Sequence, residues 1–233
     1  MATIKEHGVL FLAPMVKAIL AGRKTQTRRL IPTATGQFWD HAGWRPEMAA
    51  DGSGIAAWVF ADEKIRTWVG TPAPKAPHGP VGRRLWVRET WRTQELPSGL
   101  DGIRCQADDA FLPIESTREA ADAWVVAHNN GKRGNRWAPS IHMPRWASRI
   151  TLEVTRVRVE RVRDITPADA LAEGFADFPR DPPDEDPREV GYQQCVPGAL
   201  ARDRFADLWD SINGAGSFAS SPWVWVYDFR RVG

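Results

Sequence analysis

The sequence predicts an α+β fold. Its apolar patterning runs strand, helix, several strands, helix, strand, which is not the repeating βα order of a parallel sheet. A central run, ITLEVTRVRVERV, places Ile150, Leu152, Val154, Val157, Val159 and Val162 in one or two strands whose alternation slips after Val154. A slip of that kind marks a bulged, curved strand, as a small closed sheet requires. A third segment, ITPADALAEGF, carries start and stop signals for a short helix.

Taken in order, Val9 to Leu12 form a short apolar strand, and Pro14 follows in the first turn of a helix, where its missing N–H does no harm. Met15, Ala18, Ile19 and Gly22 recur at helical spacing, and Gly22 suits the left-handed stop that releases the chain into Arg23 and Lys24. The stretch 32–80 is rich in Gly, Pro and Trp and embeds two strands, Ile55 to Phe60 and Lys64 to Val69, in turn-forming sequence. GRRLWVRETW then reads as one strand with Leu85, Val87, Glu89 and Trp91 on a shared face. Glu89 thereby points inward and requires a partner.

Arg118 to His128 form a short helix. In the segment after the central strands, Thr166 caps, Pro167 occupies the first helical position, Asp169 stands where a capping-box acid belongs and Gly174 terminates. Glu173 falls at the last residue of that helix, where the negative end of the dipole disfavours an ionised carboxylate. ALARDRFADLWDSING is an amphipathic helix with Leu200, Phe205, Leu208, Trp209 and Ile212 towards the core, and PWVWVYDFRR is an alternating terminal strand.

Composition narrows the class without naming it. The 233 residues, 42% hydrophobic and 26% charged, describe a globular chain with unusually many tryptophans, twelve. Residues 177–189 hold six acids against two arginines, a local charge of −4, which leaves +6 on the rest of a chain whose net charge is +2. That bias is compatible with a phosphate-bearing or nucleoside partner. Cys105 and Cys195, far apart, supply neither a disulfide framework nor a metal spacing, and a reducing cytoplasm is the expected compartment. GVLFLAPMVKAILAG is interrupted by Pro14 and Lys17 and falls short of the ~20 apolar residues of a membrane span, so no membrane partner is expected.

The segment GRKTQTRR, residues 22 to 29, concentrates the chemistry. A lysine and a threonine three residues apart, Lys24 and Thr27, are the minimum equipment for a nucleophile with its own base, and the flanking arginines add anion recognition. In a regular strand these two would face opposite ways, so the pairing requires the backbone to turn or bulge after Gly22. No pattern for a metal, flavin, nucleotide-phosphate loop or serine-histidine-acid triad is present, and no cofactor is expected.

The ordered set LFLAPMVKAILAGRKTQTRR, GRRLWVRETW, WAPSIHMPRWASRITLEVTRVRVERV, ITPADALAEG, LWDSING and PWVWVYDF resembles the activating-signal-cointegrator-homology (ASCH) family, particularly its enlarged bacteriophage and prophage members. The resemblance covers most of the chain and implies one domain across residues 1–233, with insertions at about 32–80 and 175–197. It implies a fold similar to the pseudouridine-synthase-and-archaeosine-transglycosylase (PUA) domain, a small curved β-barrel with flanking helices. Some small bacterial members hydrolyse the amide of N4-acetylcytidine; others are described as ribonucleases.

Carried over by motif, the resemblance implies Lys24, Thr27 and Glu173 as the catalytic residues, with Arg29 structural or anion-binding. In that reading Thr27 is the nucleophile, Lys24 its base and Glu173 the proton shuttle; alternatively the lysine or glutamate activates water. Trp91, Trp146 and Phe11 are the aromatic faces on which a cytosine could stack, and Glu89 is a further substrate-binding candidate. The expected activity is removal of an acyl group from the N4 amine of an N4-acylcytidine nucleoside. The alternatives are a non-catalytic RNA-binding module and a metal-independent ribonuclease. The partners expected are accordingly a small nucleoside and RNA.

Overall fold

The computed structural model describes residues 6–31, 44–49, 55–60, 66–67, 75–129, 136–175 and 199–233. Among the described residues the architecture is α+β with three mixed or antiparallel sheets and few helices. Two compact units are distinguished, one drawn from Met1–Ala21, Arg83–Glu153 and Arg231–Gly233, the other from Gly22–Gly82 and Val154–Arg230.

In the first unit, β1 (Glu6–Leu10) lies parallel to β6 (Arg84–Arg88), and β6 pairs antiparallel with the first residues of β10 (Thr151–Arg161) in the register Leu152 to Leu85. Helix α1 (Ala13–Leu20) starts with a proline in its first turn and buries Val16, Ala18 and Ile19. Gly22 follows with φ +71°, a conformation glycine adopts without strain. The predicted first strand is thus present, shifted towards the N-terminus.

The run GRRLWVRETW is two strands, not one. β6 ends at Arg88, and β7 (Trp91–Glu95) turns away to pair with β8 (Asp101–Cys105), which in turn pairs with β9 (Phe111–Pro113). Leu85, Val87, Glu89 and Trp91 are nevertheless all buried, so the inward parity survives the break. Trp91, Ile103, Cys105, Ala138, Met143 and Ala147 form a core here, with Ala127 of α2 (Arg118–Asn129) packed against it.

In the second unit the strand order is β10, β11, β2, where β2 is Gln26–Leu30 and β11 is Trp223–Arg231. β2 and β11 run antiparallel, with Thr27 opposite Tyr227 and Arg29 opposite Trp225. β3 (Trp44–Met48), β4 (Ile55–Phe60) and β5 (Arg66–Thr67) make a separate antiparallel sheet. β4 matches its predicted bounds; Lys64 and Val69, the predicted ends of the next strand, lie outside the described residues.

β10 is one continuous strand, and its burial alternates only as far as Val154, where the sequence pattern slips. Helix α3 (Pro167–Ala172) has the complete capping box, Thr166 accepting from the Asp169 N–H while the Asp169 carboxylate accepts from the Thr166 N–H. Gly174 closes it at φ +96°. Helix α4 (Ala199–Asn213) packs Ala201, Phe205 and Trp209 against Val162, Ile165, Ala170, Val224 and Val226. Ile212, expected towards the core, is 61% exposed because it falls on the last turn beyond this contact. β11 is buried on both faces from Trp223 to Tyr227, so its pattern is a continuous apolar run and not the alternation expected. Among the described residues no helix is long and apolar enough to cross a membrane.

Candidate active site

The chain leaves α1 through Gly22, and β2 begins only at Gln26, so Lys24 stands in irregular backbone ahead of the strand. The backbone after Gly22 is thus irregular, as the lysine-threonine spacing predicted, while Thr27 lies inside the regular strand. The amide of Thr25 donates to Ala172 O at the end of α3, and Phe229 donates to Thr25 O, which fixes the entry to β2 against both neighbours.

Lys24 is buried together with its ammonium, which donates to Glu173 Oε2 at 2.6 Å, to the Glu173 carbonyl at 2.8 Å and to the Gln26 carbonyl at 2.7 Å. A cation at the C-terminal carbonyls of α3 is favourably placed against the helix dipole. It also explains how Glu173, as the C-cap residue, is held only 3% exposed at the negative end of that helix. Burial pushes the Lys24 pKa below its ordinary value; Glu173 works the other way, and the charges of Arg29 and Arg28 add to the lowering.

Arg28 extends the cluster. Its guanidinium reaches Glu173 Oε1 at 3.3 Å, Glu160 at 3.1 Å and Asp169 at 3.6 Å, and also donates to Gln26 Oε1. Its Nε has no partner among the described residues. Gln26 donates to Asp228 at 2.7 Å and Asp169 at 3.1 Å, while Arg158 binds Asp228 at 2.7 Å, Asp169 at 3.2 Å and Glu160. Burial would raise the Asp169 carboxyl, but bonds from Thr166 and Gln26 and the charge of Arg28 outweigh it and hold the pKa below the usual range.

β2 divides its side chains by parity. Gln26 and Arg28 join this ionic network, and Thr27 and Arg29 take the other face. Thr27 is 1% exposed and lies opposite the buried Tyr227; among the described residues its hydroxyl forms no hydrogen bond. Arg29 is linked to both sides by charge: its pKa is lowered by burial and raised by Glu173 and Tyr227. The structure therefore brings Lys24 and Glu173 into direct contact, with Arg29 within electrostatic reach, and leaves Thr27 on the other face of β2 without a bond to either.

The other predicted residues belong to the first unit. Glu89 is 2% exposed and accepts from Arg149 at 2.8 and 3.1 Å; Arg149 also grips Asp108 at 2.8 and 2.7 Å. The Cys105 thiol beside them is pushed up to about 12 by burial and by the charge of Glu89. Trp91 is buried and meets Trp146 edge to face at 5.8 Å, Trp146 remaining 38% exposed. Phe11 is buried, its N–H donating to Arg88 O.

Sequence reading did not single out Gln26, Asp228, Arg158 and Glu160, and took Arg28 only as one of the arginines flanking Lys24. Two signals were available: the alternation Lys24, Gln26, Arg28 at the start of a buried strand, and Asp228 as the one acid inside the apolar run WVWVYDF. No group of three or more His, Cys, Asp or Glu side chains among the described residues is placed to hold a metal ion. No family model, curated protein or solved structure matches this chain.

Proposed function

We propose that this protein is an amide hydrolase of the ASCH type that removes the acyl group from N4-acylcytidine nucleosides, its curved sheet being that of a PUA-like barrel. The observation that carries the reading is the buried Lys24–Glu173 pair. An amine that burial drives towards its neutral form, bonded at 2.6 Å to a carboxylate, is an acid-base couple able to move one proton in either direction.

In this reading the Lys24 ammonium yields a proton to the Glu173 carboxylate, the Thr27 oxygen attacks the acyl carbon, and the Thr27 proton passes to the amine so formed. The C–N4 bond then breaks, that proton returns to N4, and cytidine departs while the acyl group stays on Thr27 as an ester. Water attacks the ester, gives its proton to the Lys24–Glu173 couple, and the acid leaves as Thr27 recovers its hydrogen. Arg29, on the Thr27 face and coupled by charge to Glu173, favours the negative charge that develops on the acyl oxygen.

The test is incubation of the purified chain with N4-acetylcytidine. Cytidine and acetate are expected in equal amounts, and Lys24→Met, Thr27→Val and Glu173→Gln are expected to lose at least about 100-fold in rate while folded. RNA affinity that falls steeply with salt and yields no product would replace the reading with a binding module. Shortened RNA in the presence of a chelator would replace it with a ribonuclease.

A further inference from the structure

We propose that Tyr227 is a further catalytic residue, whose phenol donates a hydrogen bond to the acyl oxygen when Thr27 attacks. The inference rests on the amide-hydrolase reading and adds a residue that neither the motif pattern nor the Lys24–Glu173 pair supplies.

Three features of the second unit converge on it. In the β2–β11 register Thr27 and Tyr227 are direct cross-strand partners. Direct partners share a face, with Cβ atoms about 4.5–5.5 Å apart. Both are buried, at 1% and 0% exposure, and the phenol reaches beyond the much shorter threonine. This is the face opposite Gln26 and Arg28, so Tyr227 takes no part in the ionic network.

Hydrogen-bond bookkeeping gives the second feature. The backbone N–H of His78 donates to the Tyr227 oxygen at 3.2 Å, and the two rings meet edge to face at 5.1 Å. The oxygen is thus occupied as an acceptor and the ring is clamped, while among the described residues the phenol proton has no acceptor. A buried hydroxyl with an unspent proton is a donor awaiting a partner.

The third feature is the state of that proton. Burial raises the Tyr227 pKa above its ordinary value, and the His78 N–H and the Arg29 charge only partly offset this. The phenol stays protonated across the neutral range. No proton is transferred in the proposed step; the hydrogen bond strengthens as charge accumulates on the acyl oxygen and relaxes when the carbonyl re-forms. Arg29, coupled to both Glu173 and Tyr227, spans the two halves of the arrangement.

The experiment compares the full chain with Tyr227→Phe on N4-acetylcytidine. A preorganised donor of this kind is worth about 100-fold in kcat. The expected result is a loss of that order with KM within about threefold of the parent, the signature of an interaction made only in the transition state. The sequence contains one other tyrosine, Tyr192, so fluorotyrosine incorporation into a Tyr192→Phe chain modifies position 227 alone and preserves the clamp. There kcat should change in step with the phenol acidity. If Tyr227→Phe retains the parental kcat, or if fluorination leaves kcat flat, the donor role is overturned while the hydrolase reading stands. If the parent chain releases no cytidine, both fall together.

Discussion

A lysine and a glutamate buried against each other are costly to separate. Removing one partner leaves an uncompensated charge, so Glu173→Gln should destabilise the fold by ~3–5 kcal/mol in urea titrations. A double Lys24→Met, Glu173→Leu change, which removes both charges, should recover most of that loss while abolishing catalysis. Recovery would separate the contribution of the pair to chemistry from its contribution to stability. Lys24 and Glu173 were legible because a motif singles out each of them. The network around them was not, because Arg28, Gln26, Arg158 and Asp228 become neighbours only when β10, β11 and β2 align, and no local pattern carries that register. Glu89 was legible as an inward acid needing a partner, and Arg149, sixty residues on, is that partner.

Helix α3 is clamped at both ends by the same cluster. Asp169 serves its N-terminal capping box and accepts from Gln26 and Arg158, and Glu173 closes its C-terminus on Lys24. Thr166→Ala should cost ~1 kcal/mol as a lost cap. The acid limb of stability carries a further signature. Because the Asp169 pKa is lowered in the folded chain, its contribution is complete above the ordinary value of 3.8 and is lost as pH falls through the folded value. Asp169→Asn should therefore flatten thermal stability against pH in that range, and an unchanged slope would mean the carboxylate contributes nothing there. This helix was fully legible, since cap, proline, box and terminating glycine are all local. The break between β6 and β7 was not, because alternation continues across Glu89 while the chain changes sheets.

At the scale of the molecule, the order of elements was readable and their pairing was not. The α+β class follows from the sequence of strands and helices, but β1 lies parallel to β6 and β2 pairs with β11, contacts made between distant segments. The Lys24–Glu173 bond itself spans 149 residues. A topology so dominated by non-local contacts folds slowly, and refolding followed by tryptophan fluorescence should take milliseconds to seconds, with no dominant microsecond phase. The chain passes from the first unit to the second after Ala21, returns at Arg83, leaves again after Glu153 and comes back at Arg231. On the ribosome, neither unit can therefore be finished until the final strand has emerged from the exit tunnel. A nascent chain of this protein carries β2 without its partner β11 for most of its synthesis, and its yield in the cell should depend on chaperone supply more than its final stability would suggest.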